Sequence, residues 1–132
     1  MSIAAYKRTI RESETPRQIE RRVFVRVTNG IAEIAKRYDA AADRQTRADI
    51  LATELQYPLI ENQKLWSTIK HDLMLPDNGI PPQLKAGLIS LALFVERQTA
   101  MIVGGNGNAG VLVQINESII AGLTGDAPGP RG

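Results

Sequence analysis

Three features of the chain have residue types and spacing that chemistry uses. They are the glycine-rich run "GNGNAG" (Gly105, Gly107, Gly110), the pair His71–Asp72, and a group of arginines in the N-terminal quarter. The first has the spacing of a dinucleotide-binding turn, in which glycines let a strand-to-helix backbone approach a pyrophosphate. That turn needs a preceding strand, whereas the segment before Gly104 has helical periodicity. It also lacks the Lys and Ser/Thr of a phosphate-gripping loop, so its reading is a flexible helix connector. His71 is the only histidine, and neighbouring helix residues point about 100° apart, so His71 and Asp72 form no ready relay. With one histidine and no cysteine, a metal would rest on carboxylates, and Asp39, Asp43 and Glu54 are scattered. No grouping supplies a nucleophile, a base and an orienting residue. The chain is therefore expected to be no enzyme and to hold no metal and no cofactor.

Residues 1–26 carry seven basic and three acidic groups, a balance of +4, and the remainder nine and eleven, a balance of −2. Arg17, Arg21, Arg22 and Arg26 line adjoining positions of a helix, with Lys7, Arg8 and Arg11 upstream. Such a face suits RNA phosphates. Against this, Glu12, Glu14 and Glu20 interleave, and the 5% aromatic content offers few stacking platforms for bases. A solvated surface, or one facing an acidic protein, is the preferred reading, with RNA kept as the alternative. The only tryptophan, Trp66, lies in "ENQKLWSTIKHDL". A tryptophan in an apolar helical stripe is most often core and can also be a binding anchor, and the sequence leaves both open.

The elements that must position these residues read as helices. A length of 132 residues fits one domain, and 43% hydrophobic content with few aromatics suits an aliphatic helical core. Absence of cysteine excludes disulfides and fits a reducing cytoplasm. The start "MSIAAYKRTIRESE" lacks the apolar run of a secretory signal. The stretch Ala86–Val95 is about half the roughly 20 residues of a membrane span, so it reads as a buried helix and no membrane insertion is expected.

Thr15 as N-cap and Pro16 at the first helical position predict a helix start, followed by a stripe of Ile19, Val23, Val27, Ile31, Ile34 and Tyr38. Gly30 weakens this helix by about 1 kcal/mol relative to alanine. A second piece places Ala48, Leu51 and Leu55 together and stops near Pro58, which can open the next helix, with Leu59, Leu65, Trp66, Ile69 and Leu73. After the "LPDNGIPP" punctuation comes a helix over 83–103, taken as central, with Leu84, Leu88, Leu91, Val95 and Ile102 on its stripe. A last helix carries Leu112, Ile115 and Ile119, ending at Gly122 or Gly125. The expectation is an all-α, single compact bundle-like domain of four to five helices over residues 1–124, with a flexible tail over 125–132.

Four blocks, "TPRQIERRVF" (15–24), "NQKLWSTI" (62–69), "LISLALFV" (88–95) and "INESIIAGL" (115–123), occur in an order and spacing that resemble the flagellar biosynthesis regulator FlaF family. Matching positions are Pro16, Arg17, Glu20 and Phe24; Asn62, Leu65, Trp66 and Ser67; Ile115, Asn116, Ser118 and Gly122. Residues 39–60 and "GGNGNAG" depart from the family pattern. The resemblance implies a cytoplasmic helical protein required for flagellin synthesis and secretion through the flagellar type III apparatus. It implies flagellin as partner, with the translational regulator FlbT and the export apparatus as further candidates. In that setting Leu65, Trp66 and Phe94 are candidate anchors for a flagellin helix, and Arg17, Arg21 and Arg22 candidate steering residues. The alternative is a post-transcriptional regulator binding flagellin mRNA through the basic N-terminal region.

Overall fold

In a computed structural model the backbone is described over residues 3–123 and the side chains over 21–122. Helix α1 (Ile3–Ala40) is followed by α2 (Arg44–Ile50), a π turn (Leu51–Leu55), α3 (Gln56–Leu73), α4 (Pro82–Val103) and α5 (Ala109–Leu123). Because α2, the π turn and α3 run on without a break, the domain has four helical rods and is all-α. Helix α1 packs chiefly on α5, and α3 on α4.

One pattern of spacing explains this packing. The buried residues are Phe24, Val27, Thr28, Ile31, Ala35 and Tyr38 on α1, and Leu59, Asn62, Trp66 and Leu73 on α3. On α4 they are Ala92, Val95 and Ile102, and on α5 Ala109, Leu112 and Asn116. Apart from Thr28 beside Val27, the steps are threes, fours and their sum of seven, which keeps one seam of a helix facing its neighbours, as in a four-helix bundle.

The observed stripes correct the expected ones in four places. Helix α1 begins at Ile3, so Thr15 and Pro16 lie inside it and open nothing; a proline forfeits one backbone bond, which a helix of 38 residues survives. The side chains of Arg17 and Ile19, and the tail over 125–132, lie outside the described residues. On α2, Ala48 is exposed and no residue is buried; Ile50 and Leu51 are half-buried against the core, and Leu55 of the π turn is fully buried. Chain continuity carries the helix past Pro58, which falls in the first turn of α3.

Helix α4 is not central. Leu84 is 56% exposed, and only Ala92, Val95 and Ile102 are fully buried. The true stripe is Leu88, Ala92, Val95, Thr99 and Ile102, offset from the predicted one because α4 is apolar around most of its circumference and offers several stripes to choose from. Its length of 22 residues and mean hydropathy of 1.4 meet the requirements for crossing a membrane by length and composition alone.

Polar groups fasten the ends of the rods. Asp43 caps α2 by accepting from the Thr46 amide at 2.7 Å, and this bond holds the carboxyl below its usual range. Arg37 grips Glu54 with both guanidinium nitrogens, one at 2.7 Å, tying α1 to the π turn; the bond likewise lowers the Glu54 pKa. Both carboxyls have depressed folded-state pKa values, so what they contribute is present above the ordinary carboxylate range and lost as pH falls through the lowered values.

At Gly30 an added Cβ meets nothing within 4 Å. Gly30→Ala should therefore raise the unfolding free energy by about 0.5–1 kcal/mol, measured by urea denaturation, because alanine loses less backbone entropy in a helix.

Candidate functional site

The sequence candidates fall into three separate regions. Trp66 is interior, 1% exposed, and its ring meets Phe24 edge-on at 5.8 Å between centroids. Its indole N–H donates to Asn116 Oδ1 at 2.9 Å, and Asn116 Nδ2 donates to Asn62 Oδ1 at 2.8 Å. Both asparagines are fully buried. The indole has only a donor, so Asn116 must present its oxygen to it and its amide to Asn62, which fixes each orientation in turn. Asn62 Nδ2 is left without a partner. This chain crosses from α3 to α5 and settles the question that the sequence left open: Trp66 is a core residue whose polar atom is used internally, and it is not placed as an anchor for a partner. Leu65 is half-buried against the same core. Phe94 is half-buried with the Arg97 guanidinium 5.9 Å above its ring.

The glycine-rich run joins α4 to α5 and serves a second cluster. Asp39, at the end of α1, accepts from the Ala109 and Gly110 amides at 2.8 Å each. These are the first amides of α5, the groups that would hold a phosphate at a helix N-terminus; here the protein's own carboxylate occupies them. Asn108 adds a bond from the Val111 amide at 3.2 Å. A Cβ on Gly110 would lie 3.0 Å from Asp39 Oδ2, so this glycine makes room for the carboxylate. Gly105 and Gly107 have φ of 87° and 72°, the left-handed region that a side chain resists.

Around them, Tyr38 donates its hydroxyl to the Ile102 carbonyl at 2.6 Å, with the Asn106 carbonyl at 3.2 Å. Burial raises the Tyr38 pKa. Arg47 lies 5.0 Å above the tyrosine ring and reaches the Gly105 and Asp39 carbonyls, and Arg44 reaches the Gly104 carbonyl. The whole arrangement is a polar clasp that closes one end of the bundle, and it leaves no space for a nucleotide phosphate.

The third region was not anticipated. A groove of about 380 Å³ runs between the π turn, α3 and the end of α4, lined by Leu51, Ala52, Leu59, Ile60, Thr99 and Val103, with Gln56 and Gln63 as polar points. A smaller recess of about 240 Å³ adjoins it through Ala52, Gln56 and Ile60 and adds Tyr57. Tyr57, Ile60 and Val103 are 70%, 44% and 57% exposed. None of Leu65, Trp66 and Phe94 lines this groove. The available signal was Pro58 within an otherwise helical pattern, since wide turns and prolines often mark functional places on helices.

The remaining candidates are surface groups. Arg21, Arg22 and His71 are exposed. Arg26 is paired with Glu61 at 2.9 Å. Among the described residues no cluster of three or more His, Cys, Asp or Glu side chains is placed to hold a metal ion.

Trp66→Phe keeps most of the ring but strands the Asn116 oxygen, and should cost about 1–3 kcal/mol in chemical denaturation. Gly110→Ala should be destabilising by about 1 kcal/mol, the scale of a lost helix cap, although alanine ordinarily favours a helix.

Comparison with known proteins places the chain. No curated protein and no solved structure matches it. The family model for flagellar protein FlaF matches residues 2–123, nearly the whole chain. Phe24, Trp66, Asn116 and Asn62, drawn from three of the four blocks that resembled this family, converge on one buried cluster. The chain belongs to the FlaF family of flagellar proteins and has its role in flagellar biogenesis.

Proposed function

We propose that the protein is a cytoplasmic flagellin-binding export chaperone and regulator that takes an amphipathic flagellin helix into the groove between the π turn, α3 and α4. The observation that carries this reading is the unpartnered apolar surface there. Ile60 and Val103 line the apolar groove and Tyr57 the smaller recess beside it, and Met101 and Leu93 of α4 are 46% and 40% exposed nearby in sequence. A helix as apolar as α4 normally buries more of itself than three residues. An amphipathic helix laid along such a groove buries its own stripe through anchors at i, i+3, i+4 and i+7.

The chemistry asked of the protein is only coverage. A flagellin subunit awaiting export carries apolar stripes without their assembly partners, and shielding them prevents premature association. No bond is made or broken, and the groove's two glutamines supply hydrogen-bond sites that fix the register of the bound helix. Exposed Arg21 and Arg22 lie at a distance from the groove in sequence and would act through the long-range field, raising the association rate with an acidic partner at low salt. FlbT and the export apparatus are the further partners proposed for the flagellin-loaded state.

The test is calorimetric titration of purified flagellin into the protein. Micromolar or tighter binding is expected, and Ile60→Glu or Val103→Glu should weaken it by about tenfold or more while leaving helical content unchanged. Absence of binding by the unaltered protein at micromolar concentration sinks the direct-chaperone reading. Tight, steeply salt-dependent binding of flagellin leader RNA that is lost on removing Arg21 and Arg22 would replace it with the RNA alternative.

A further inference from the structure

The chain contains three Asn-Gly pairs. Asn29–Gly30 lies inside α1, where the helical backbone holds it; the two connector pairs, Asn78–Gly79 and Asn106–Gly107, are treated by the fold in opposite ways. Asparagine followed by glycine is the pair in which the next backbone nitrogen has least steric shielding, because glycine has no Cβ. The Asn78 side chain is held at both ends: its Nδ2 donates to the Asp72 carbonyl at 3.1 Å and its Oδ1 accepts from the Ile80 amide at 3.0 Å. Asn106 is exposed, and among the described residues no hydrogen bond holds its side-chain amide. Its main chain alone is engaged, donating to the Met101 carbonyl at 2.8 Å and accepting from Tyr38.

We propose that Asn106 is a site of spontaneous backbone-directed modification, converting to aspartate and isoaspartate in the folded protein, and that Asn78 is protected from the same reaction. The Gly107 amide nitrogen, losing its proton, attacks Asn106 Cγ; a C–N bond forms and the side-chain nitrogen leaves as ammonia, giving a five-membered succinimide. Water then adds to one of its two carbonyl carbons and breaks the C–N bond there. Opening at one carbon gives aspartate, and opening at the other gives isoaspartate, in which the main chain runs through the former side chain.

No oxidant or enzyme is required. The product adds a negative charge to the α4–α5 connector, and the isoaspartate form displaces the carbonyl that Tyr38 contacts. Tyr38 keeps its shorter bond to Ile102, so the modified protein stays folded with a loosened clasp.

The intact full-length protein, held warm at mildly alkaline pH, is sampled over days and mapped by peptide mass spectrometry with fragmentation that separates aspartate from isoaspartate. Asn106 should convert at least about tenfold faster than Asn78, the factor expected from breaking two local hydrogen bonds before Asn78 can react. In denaturant the two rates should approach each other, since both are then Asn-Gly pairs in an unfolded chain, without the hydrogen bonds that hold Asn78. Asn106→Gln should abolish the change at this position without altering conversion at Asn78. An Asn106 that remains intact in the folded state, or equal rates at the two positions in folded protein, overturns the proposal. Loss of the Asn106 signal only after unfolding, detected by following helicity in parallel, overturns it as well.

Discussion

The hydrogen bond from the Trp66 indole to Asn116 is the constraint on which the arrangement of helices depends. A tryptophan brought into an apolar interior must satisfy its N–H, and this one does so across the gap between α3 and α5. The choice then propagates, because Asn116 can turn only one way and Asn62 must answer it. Sliding either helix by one residue would leave three buried polar side chains unmatched. Apolar seams alone tolerate such slips, as many stripes of Leu, Ile and Val fit one another about equally well. The orphaned Asn62 nitrogen is the energetic cost of that register.

The two ends of the bundle divide the work. At one end the clasp of Asp39, Tyr38, Arg44 and Arg47 uses nearly every polar group of the α4–α5 connector internally. Along α3 and α4 the reverse holds: beside the π turn Ile60 and Val103 stay exposed, and a groove stays open. The proposed covering of another helix would draw on both states, a closed frame and an unfilled seam.

Much of the architecture was legible in the residues. The helices over 82–103 and 109–123, the stop at Leu73 and the buried positions Val27, Ile31, Tyr38, Val95 and Leu112 follow from threes-and-fours spacing and from the "LPDNGIPP" punctuation. Phe24, Ala35 and Ala92 were missed because small or neighbouring apolar residues make competing stripes, and only the partner helix decides between them. Rejection of "GNGNAG" as a nucleotide turn rested on the missing strand, but the stronger reason is three-dimensional: a carboxylate 70 residues away sits on the amides. The groove was not read because it lies beside a π turn, for which Pro58 was the one hint and no stripe of apolar residues a guide. Trp66 illustrates the limit on single residues, for a core tryptophan and an interface tryptophan have the same neighbours in sequence.

The Asp39 tie to Ala109 and Gly110 also bears on how the chain is made. Helix α1 finds its largest interface with α5, the last of the described helices along the chain. Until residues beyond 109 leave the ribosome, α1 has α3 but lacks its main mate, and α3 has no Asn116 to receive its indole. Low-order helical contacts form early, but this one closes a loop of some 70 residues, so the bundle locks late and as a unit. A nascent chain of this protein thus carries part of the α1 stripe uncovered until α5 emerges.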